Sequence, residues 1–356
     1  MTHRRFALIA AALAGCAAPV EPVKTVPAPQ PRLEPPSATE TVGTELHRKG
    51  DEIVVCGRLF HTGVPVVLWT DPGGYDAYRV QRRFASLDLA EWDKTPKGGP
   101  ETPNRYGLRK FDASPDELRR LRGGGWDLPT LSRVVDQFVV HYDAAGTARR
   151  CFRVLHDARG LSVHFLLDLD GTIYQTLDVK ERAWHATIAN DRSVGIEIAA
   201  PGADAVGSGV DRIAGGIVDR WYVRDSVGPK LVIPPSRDDP DDPGFRTPDF
   251  VARPARSDPI EGTIHGKRFR QYDFTPQQYR ALAHLIATLS GTLPKIKPDA
   301  PRGGDGKVLT RALTPEEFAA FQGVLGHYHI QTNKIDPGPA FDWEMVLAEV
   351  RRLGAR

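Results

Sequence analysis

The stretch GVLGHYHIQTNKIDPGPAFDW, residues 323–343, gathers two histidines, a lysine and two aspartates into a turn-rich segment directly after an apolar run. Imidazole and carboxylate are zinc-ligand types, so Asp336 with either His327 or His329 forms a candidate pair. A catalytic zinc takes three protein ligands and keeps one position open, so a third ligand has to come from elsewhere in the chain. The segment TPEEFAAFQGVLG leads into this stretch with a capping threonine, a proline and Glu317 three residues after the cap. Phe318, Phe321 and Leu325 recur at helical spacing, which predicts a helix across it.

Further back, the chain carries α/β signals from residue 131 onward. FVVHY (138–142) reads as a buried strand ending in polar residues, and SVGIEIA (193–199) as another. HFLLDLDGTIYQTL (164–177) reads as a hairpin with Asp170-Gly171 as its two-residue turn. TPQQYRALAHLIATLSG (275–291) opens on Thr275, with Gln278 completing a capping box, and places Tyr279, Leu282 and Leu289 at helical spacing. A last helix begins near Asp342 and shows Val346, Leu347, Val350 and Leu353 on one face. The expected α/β domain spans 131–356. It is interrupted at about 201–262 by a Pro-, Asp- and Gly-rich insertion, too long for a bare loop in a compact domain. Trp221-Tyr222 either packs this insertion down or faces a substrate. Residues 46–130 open with IVVCGRLF and VPVVLW, read as strand-like runs, and later show a helix start at Ser114-Pro115 with Glu117. They carry no evident chemistry and read as an N-terminal structural extension.

The N-terminus is read as targeting. Arg4 and Arg5 precede an apolar stretch, Phe6 to Ala14, that is too short to span a bilayer. Leu13-Ala14-Gly15-Cys16 resembles a bacterial lipobox, so 1–16 is expected to be a lipoprotein signal with Cys16 lipidated. Residues 17–45 would then be a Pro-rich tether. The expected location is the cell envelope, lipid-anchored, on the periplasmic side of the outer membrane. After Cys16, Cys56 and Cys151 remain, an even number in an oxidising compartment, where pairing or two separate thiols are both open. A formal net charge of +2 over 356 residues gives no electrostatic basis for a nucleic-acid partner.

His141 ends the FVVHY strand, where α/β folds place their ligands. With Asp336 and one histidine of GHYHI it makes a two-nitrogen, one-carboxylate set. Zinc suits that set better than magnesium or calcium, which prefer oxygen shells. Attack on an amide also needs a base and a cation for the developing oxyanion. Glu197 is a carboxylate in an otherwise apolar strand, costly to bury without purpose. Lys334 lies two residues before Asp336, so an extended segment points both side chains the same way.

These motifs in order, VVHY, SVHFLLDLDGTIYQ, RAWHA, SVGIEIA and GH…KIDPGPAFDW, resemble the zinc N-acetylmuramoyl-L-alanine amidases of the amidase-2 family. The resemblance covers about 131–200 and 263–350. It implies an α/β fold, a central mixed sheet flanked by helices with a surface zinc groove, as in peptidoglycan recognition proteins. It also implies hydrolysis of the amide between N-acetylmuramic acid and the L-alanine of the stem peptide, in peptidoglycan or muropeptides. Zn2+ would be held by His141, His327 and Asp336, with Glu197 as general base and Lys334 on the oxyanion. His185 and Trp184 would contact substrate, and His164 would order its strand. The family's metal histidine follows a glycine at the end of the apolar helix, as Gly326-His327 does. Family members often have one more residue before the aspartate, and that spacing lands on Gly326, which cannot ligate. Choosing His329 would shorten the loop by three residues, so His327 is the smaller departure. Two other readings use the same residues: a non-catalytic peptidoglycan-binding lipoprotein, and a zinc peptidase acting within stem peptides.

Overall fold

The computed structural model describes residues 45–79, 106–207, 216–234 and 244–354. The chain divides into two compact units, Met1–His47 and Arg48–Arg356, and the strands and helices of the described residues all belong to the second. The expected signal peptide, with Cys16, and nearly all of the expected tether lie outside the described residues.

A six-stranded sheet forms the centre. Its strands in chain order are β3 (Val66–Leu68), β4 (Gln137–Tyr142), β5 (Phe165–Leu167), β6 (Ile173–Gln175), β7 (Ser193–Ile198) and β13 (Gly323–Gly326). In space they run β13-β4-β7-β5-β6-β3. All neighbours are parallel except the β5–β6 hairpin, so the sheet is mixed. Helices flank it, as the α/β reading expects. The edge strand β3 comes from the 46–130 stretch.

The residues explain these elements. Helix α5 (Pro276–Thr292) starts where Thr275 and Gln278 exchange side-chain and backbone hydrogen bonds, with proline at the first position. Its buried face, Leu282, Leu285, Ile286 and Leu289, packs with Val346, Leu347 and Val350 of α7 (Trp343–Gly354) on one side of the sheet. Phe138, Val140, Val194, Ile196 and Val324 meet them there. Alternation along the strands sends Val139 and Leu325 to the opposite face, onto Ala186 and Ala189. His141 and Glu197, in step with Val139 and Gly195, belong to that second face.

Two expectations change, and one open question closes. IVVCGRLF is a hairpin, β1 (Glu52–Val55) with β2 (Arg58–His61), because Cys56 (φ 52°) and Gly57 (φ 71°) form a turn of left-handed residues between them. The helix expected across TPEEFAAFQGVLG stops at Ala320 (α6, Pro315–Ala320), and GVLG is strand β13. Helix α6 buries none of its residues, whereas Val324 and Leu325 fill opposite faces of the sheet. Gly323 marks the break: its φ is 145°, and a Cβ there would lie 2.6 Å from the Asp299 carbonyl oxygen. Finally, Cys56 and Cys151 are free thiols rather than a disulfide.

The described part of the 201–262 insertion is ordered. It contains β8 (Asp204–Ala205), α4 (Ile217–Trp221) and a small hairpin, β9 (Tyr222–Arg224) with β10 (Pro229–Leu231). The Trp221 ring covers Gly146, where a Cβ would come within 2.4 Å, and Tyr222 packs on Tyr272 at 4.1 Å between centroids. This aromatic pair therefore packs the insertion down.

Candidate metal centre

Strand register assembles the site. Gly326 pairs with Val140 and His141 pairs with Glu197, so one further residue beyond β13 places His327 abreast of His141. His327, His141 and Glu197 thus form a row at the carboxyl ends of three adjacent parallel strands, the edge where open α/β sheets bind ligands. His327 opens a single 3-10 turn, and the chain loops back to deliver Asp336, with the Tyr328 N–H donating to the Asp336 carbonyl.

Three acceptor atoms converge. His141 Nδ1 lies 2.9 Å from His327 Nδ1 and 3.0 Å from Asp336 Oδ2, and His327 Nδ1 is also 3.0 Å from that oxygen. All three residues are buried. The outer ring nitrogens have partners of their own. His327 Nε2–H donates to Gln331 Oε1 at 2.7 Å, and His141 Nε2 is in hydrogen-bond contact with His185 Nδ1 at 3.0 Å. His185 Nε2 in turn lies 3.2 Å from Ser193 Oγ. With its proton on Nε2, His327 presents an Nδ1 lone pair to His141 Nδ1 and to a carboxylate oxygen. Two imidazole nitrogens and a carboxylate oxygen converging in a buried site form a ligand set for a cation, and two nitrogens with one oxygen fit zinc. Burial first, and the neighbouring His327 second, lower the His141 pKa to about 4, so its ring is neutral, the form that binds metal.

The site opens into a cleft of about 230 Å³, whose walls include Leu155, Arg159, Trp184, Glu197 and Lys334. Glu197 Oε2 is buried without a hydrogen-bond partner among the described residues. Burial, then the carboxylates of Asp336 and Asp143, raise the Glu197 pKa well above its ordinary value, while Lys334 and Arg159 pull it down. A carboxyl tuned upward beside a metal-ligand set is suited to taking and returning a proton. Lys334 is half-buried on the cleft wall, and its carbonyl accepts from His265 Nε2 at 3.0 Å.

The remaining candidates divide between structural and cleft positions. His329 is fully buried away from the triad: its Nδ1 accepts the Gly326 N–H at 2.9 Å and its Nε2–H donates to the Leu309 carbonyl at 2.7 Å. His164 accepts the Gly195 N–H and donates to the Glu181 carbonyl, tying β7 to the adjoining loop. Trp184 stands in the cleft wall under the Arg182 guanidinium, 4.1 Å from its ring centroid. His185 lies behind His141 over Gly195, where a Cβ would come within 2.5 Å of its ring.

Residues 131–245 match the Amidase_2 family, N-acetylmuramoyl-L-alanine amidase. That segment carries His141, Trp184, His185 and Glu197; the fold adds His327, Lys334 and Asp336 from beyond it. No curated protein matches the sequence. Similar solved structures include the N-acetylmuramyl-L-alanine amidase AmiD from E. coli, in complex with anhydro-N-acetylmuramic acid-L-Ala-D-gamma-Glu-L-Lys. It is 19% identical, with 60% of this chain and 57% of that chain covered, at a TM-score of 0.32. AmpDh3 from Pseudomonas aeruginosa, in complex with anhydromuramic pentapeptide, is also 19% identical, with coverages of 60% and 59% and a TM-score of 0.32. The endolysin amidase LysCS from Clostridium intestinale is 14% identical, with coverages of 61% and 84% and a TM-score of 0.30. This chain spans somewhat over half the length of the first two.

Sequence reasoning did not find Gln331 and Ser193, which complete the outer hydrogen bonds of the triad. A polar residue four positions after His327 was the available signal for Gln331, since outer partners commonly fix the ligating tautomer. Ser193, at the start of an apolar strand, carried none.

Proposed function

We propose that this protein is a zinc-dependent N-acetylmuramoyl-L-alanine amidase that cuts the amide between N-acetylmuramic acid and the L-alanine of the stem peptide. The observation that carries the reading is the convergence of two buried imidazole nitrogens and a carboxylate oxygen within about 3 Å, abreast of Glu197, whose Oε2 has no hydrogen-bond partner among the described residues. The family match over 131–245 supports the same bond class. His141 and His327, through Nδ1, and Asp336, through Oδ2, would hold the metal. Bound there, zinc supplies Lewis acidity that makes water nucleophilic at neutral pH. Glu197 takes the proton of the attacking water and returns it to the leaving amine. Lys334 sets its ammonium against the negative charge that develops on the carbonyl oxygen. Trp184 and Leu155 form the wall against which substrate lies, and His185 holds the His141 ring through Nε2.

Mass spectrometry of digested purified peptidoglycan tests the bond. Free stem peptides beginning with L-alanine are expected, and they should disappear with a chelator and return on zinc addition. Fragments cut within the stem would instead identify a peptidase, and bound but intact peptidoglycan a recognition protein.

The lipobox-like Leu13-Ala14-Gly15-Cys16 supports an envelope location with the protein lipid-anchored through Cys16. Cys16→Ala is expected to move the protein out of the membrane fraction and into the soluble periplasmic one. Continued sedimentation with membranes would rule out the anchor.

A further inference from the structure

Arg109 lies in the N-terminal extension, outside the segment that matches the family, and its side chain is fully buried. Among the described residues no carboxylate pairs with it directly. Instead Nε donates to the Lys180 carbonyl at 3.2 Å, and Nη2 donates to that of Val179 at 2.8 Å. Nη1 faces the carbonyls of Asn190 (3.2 Å), Asp191 (3.2 Å) and Ser193 (2.9 Å). One guanidinium therefore joins both ends of the loop 179–193. Burial lowers its pKa to about 10, which leaves it charged at neutral pH and makes those charge-assisted bonds strong.

Its neighbours reinforce the contact. The Arg182 N–H donates to the Gly107 carbonyl at 2.8 Å, and the Lys110 N–H donates to Asp191 Oδ1 at 2.8 Å. Asp191 Oδ1 also accepts from Arg182 Nε at 2.7 Å, and Arg182 is the residue stacked on Trp184. Between the two clamped ends the loop carries Trp184 to the cleft wall and His185 to the back of His141. Asn190 Oδ1 holds the turn by accepting the N–H groups of His185 and Ala186, at 3.1 and 2.7 Å.

We propose that Arg109 is a positioning residue of the metal centre: by clamping both ends of the 179–193 loop it fixes His185 on His141 Nε2, and so sets metal affinity and ligand geometry. This rests on the metal-centre reading above, and makes the N-terminal extension part of the working site. A structural anchor alone would hold the fold without influencing the metal.

The test is a double-mutant cycle on the full chain, read by zinc affinity in chelator competition and by the visible spectrum of the cobalt-substituted protein. Loss of an outer partner of a ligating histidine costs about 10–100-fold in metal affinity. Arg109→Lys keeps the charge but cannot reach all five carbonyls, and is expected to weaken zinc binding about tenfold and alter the cobalt spectrum. His185→Ala is expected to weaken zinc binding at least as much, and adding Arg109→Lys to it should cause no further loss. Equal losses in both backgrounds, or a folded Arg109→Lys with wild-type affinity and spectrum, would overturn the proposal. Asp191→Ala frees Lys110 and Arg182 without burying an unpaired charge, and is expected to weaken zinc binding roughly threefold, below the range for a direct outer partner. If Arg109→Lys does not fold and Asp191→Ala binds zinc normally, Arg109 is a fold residue and the proposal fails. These readouts need no peptidoglycan substrate, so a failure of the amidase reading would be seen separately, as wild type that binds zinc but releases no L-alanine-terminated peptides.

Discussion

Alanine at position 327 is expected to abolish zinc binding and amidase activity together, whereas alanine at 329 should leave the metal bound. His327 Nδ1 is one of three acceptors within about 3 Å of each other, and removing it leaves two ligands where a catalytic zinc needs three. The loss should exceed the roughly 100-fold seen for outer-shell partners. His329 has both ring nitrogens engaged elsewhere, on the Gly326 N–H and the Leu309 carbonyl. Its removal orphans the buried Gly326 N–H and the part-buried Leu309 carbonyl, so about 1–3 kcal/mol of stability should be lost instead. Zinc content by atomic absorption and a thermal melt of each variant separate the two effects. Zinc retained in His327→Ala and lost in His329→Ala would reverse the assignment.

The second large effect is at Glu197. Glu197→Gln keeps size and shape but cannot accept the water proton, and general acid–base groups contribute about 10²–10⁴-fold. Turnover should fall by that factor while zinc affinity stays near wild type, because Glu197 is not among the three convergent ligands. Stability should hold or rise, since the substitution removes a buried carboxylate whose Oε2 has no partner among the described residues. The pH profile carries a sign that can be checked. Burial raises the Glu197 pKa above its ordinary value, so the active, ionised base is lost as pH falls through that raised value. The acid limb of wild-type kcat should therefore lie above the pH at which an ordinary glutamate titrates, and it should be missing from the residual activity of Glu197→Gln. Near-normal turnover in the variant would remove the residue from the base role.

Several elements are legible in the sequence because local chemistry alone decides them. The capping boxes at Thr275 and Thr314 start helices where the reciprocal hydrogen bonds form. The hairpin around Asp170-Gly171 is also legible, but its loop is three residues, 169–171, rather than the expected two, because the Asp168 N–H donates to the Thr172 carbonyl. Asp342 accepts the Met345 N–H and caps the last helix. GVLG is not legible in this way, because a short apolar run suits helix and buried strand equally. Its parallel partner, β4, lies nearly two hundred residues away, and only pairing with it makes the extended form the better one.

Residue types and their order are legible before folding: His141, Glu197, His327, Lys334 and Asp336 are imidazoles, carboxylates and an ammonium in an order that resembles one family. The tertiary structure decided which atoms meet. Parallel register sets His327, His141 and Glu197 abreast, Gln331 and His185 hold the outer ring nitrogens, and Gly195 leaves room for the His185 ring. Arg109 is the clearest case of the second kind. A lone arginine in a turn-rich stretch has no periodic or spacing signal, and its partners are five backbone carbonyls that every sequence possesses. Backbone acceptors become specific only when folding brings them to one point.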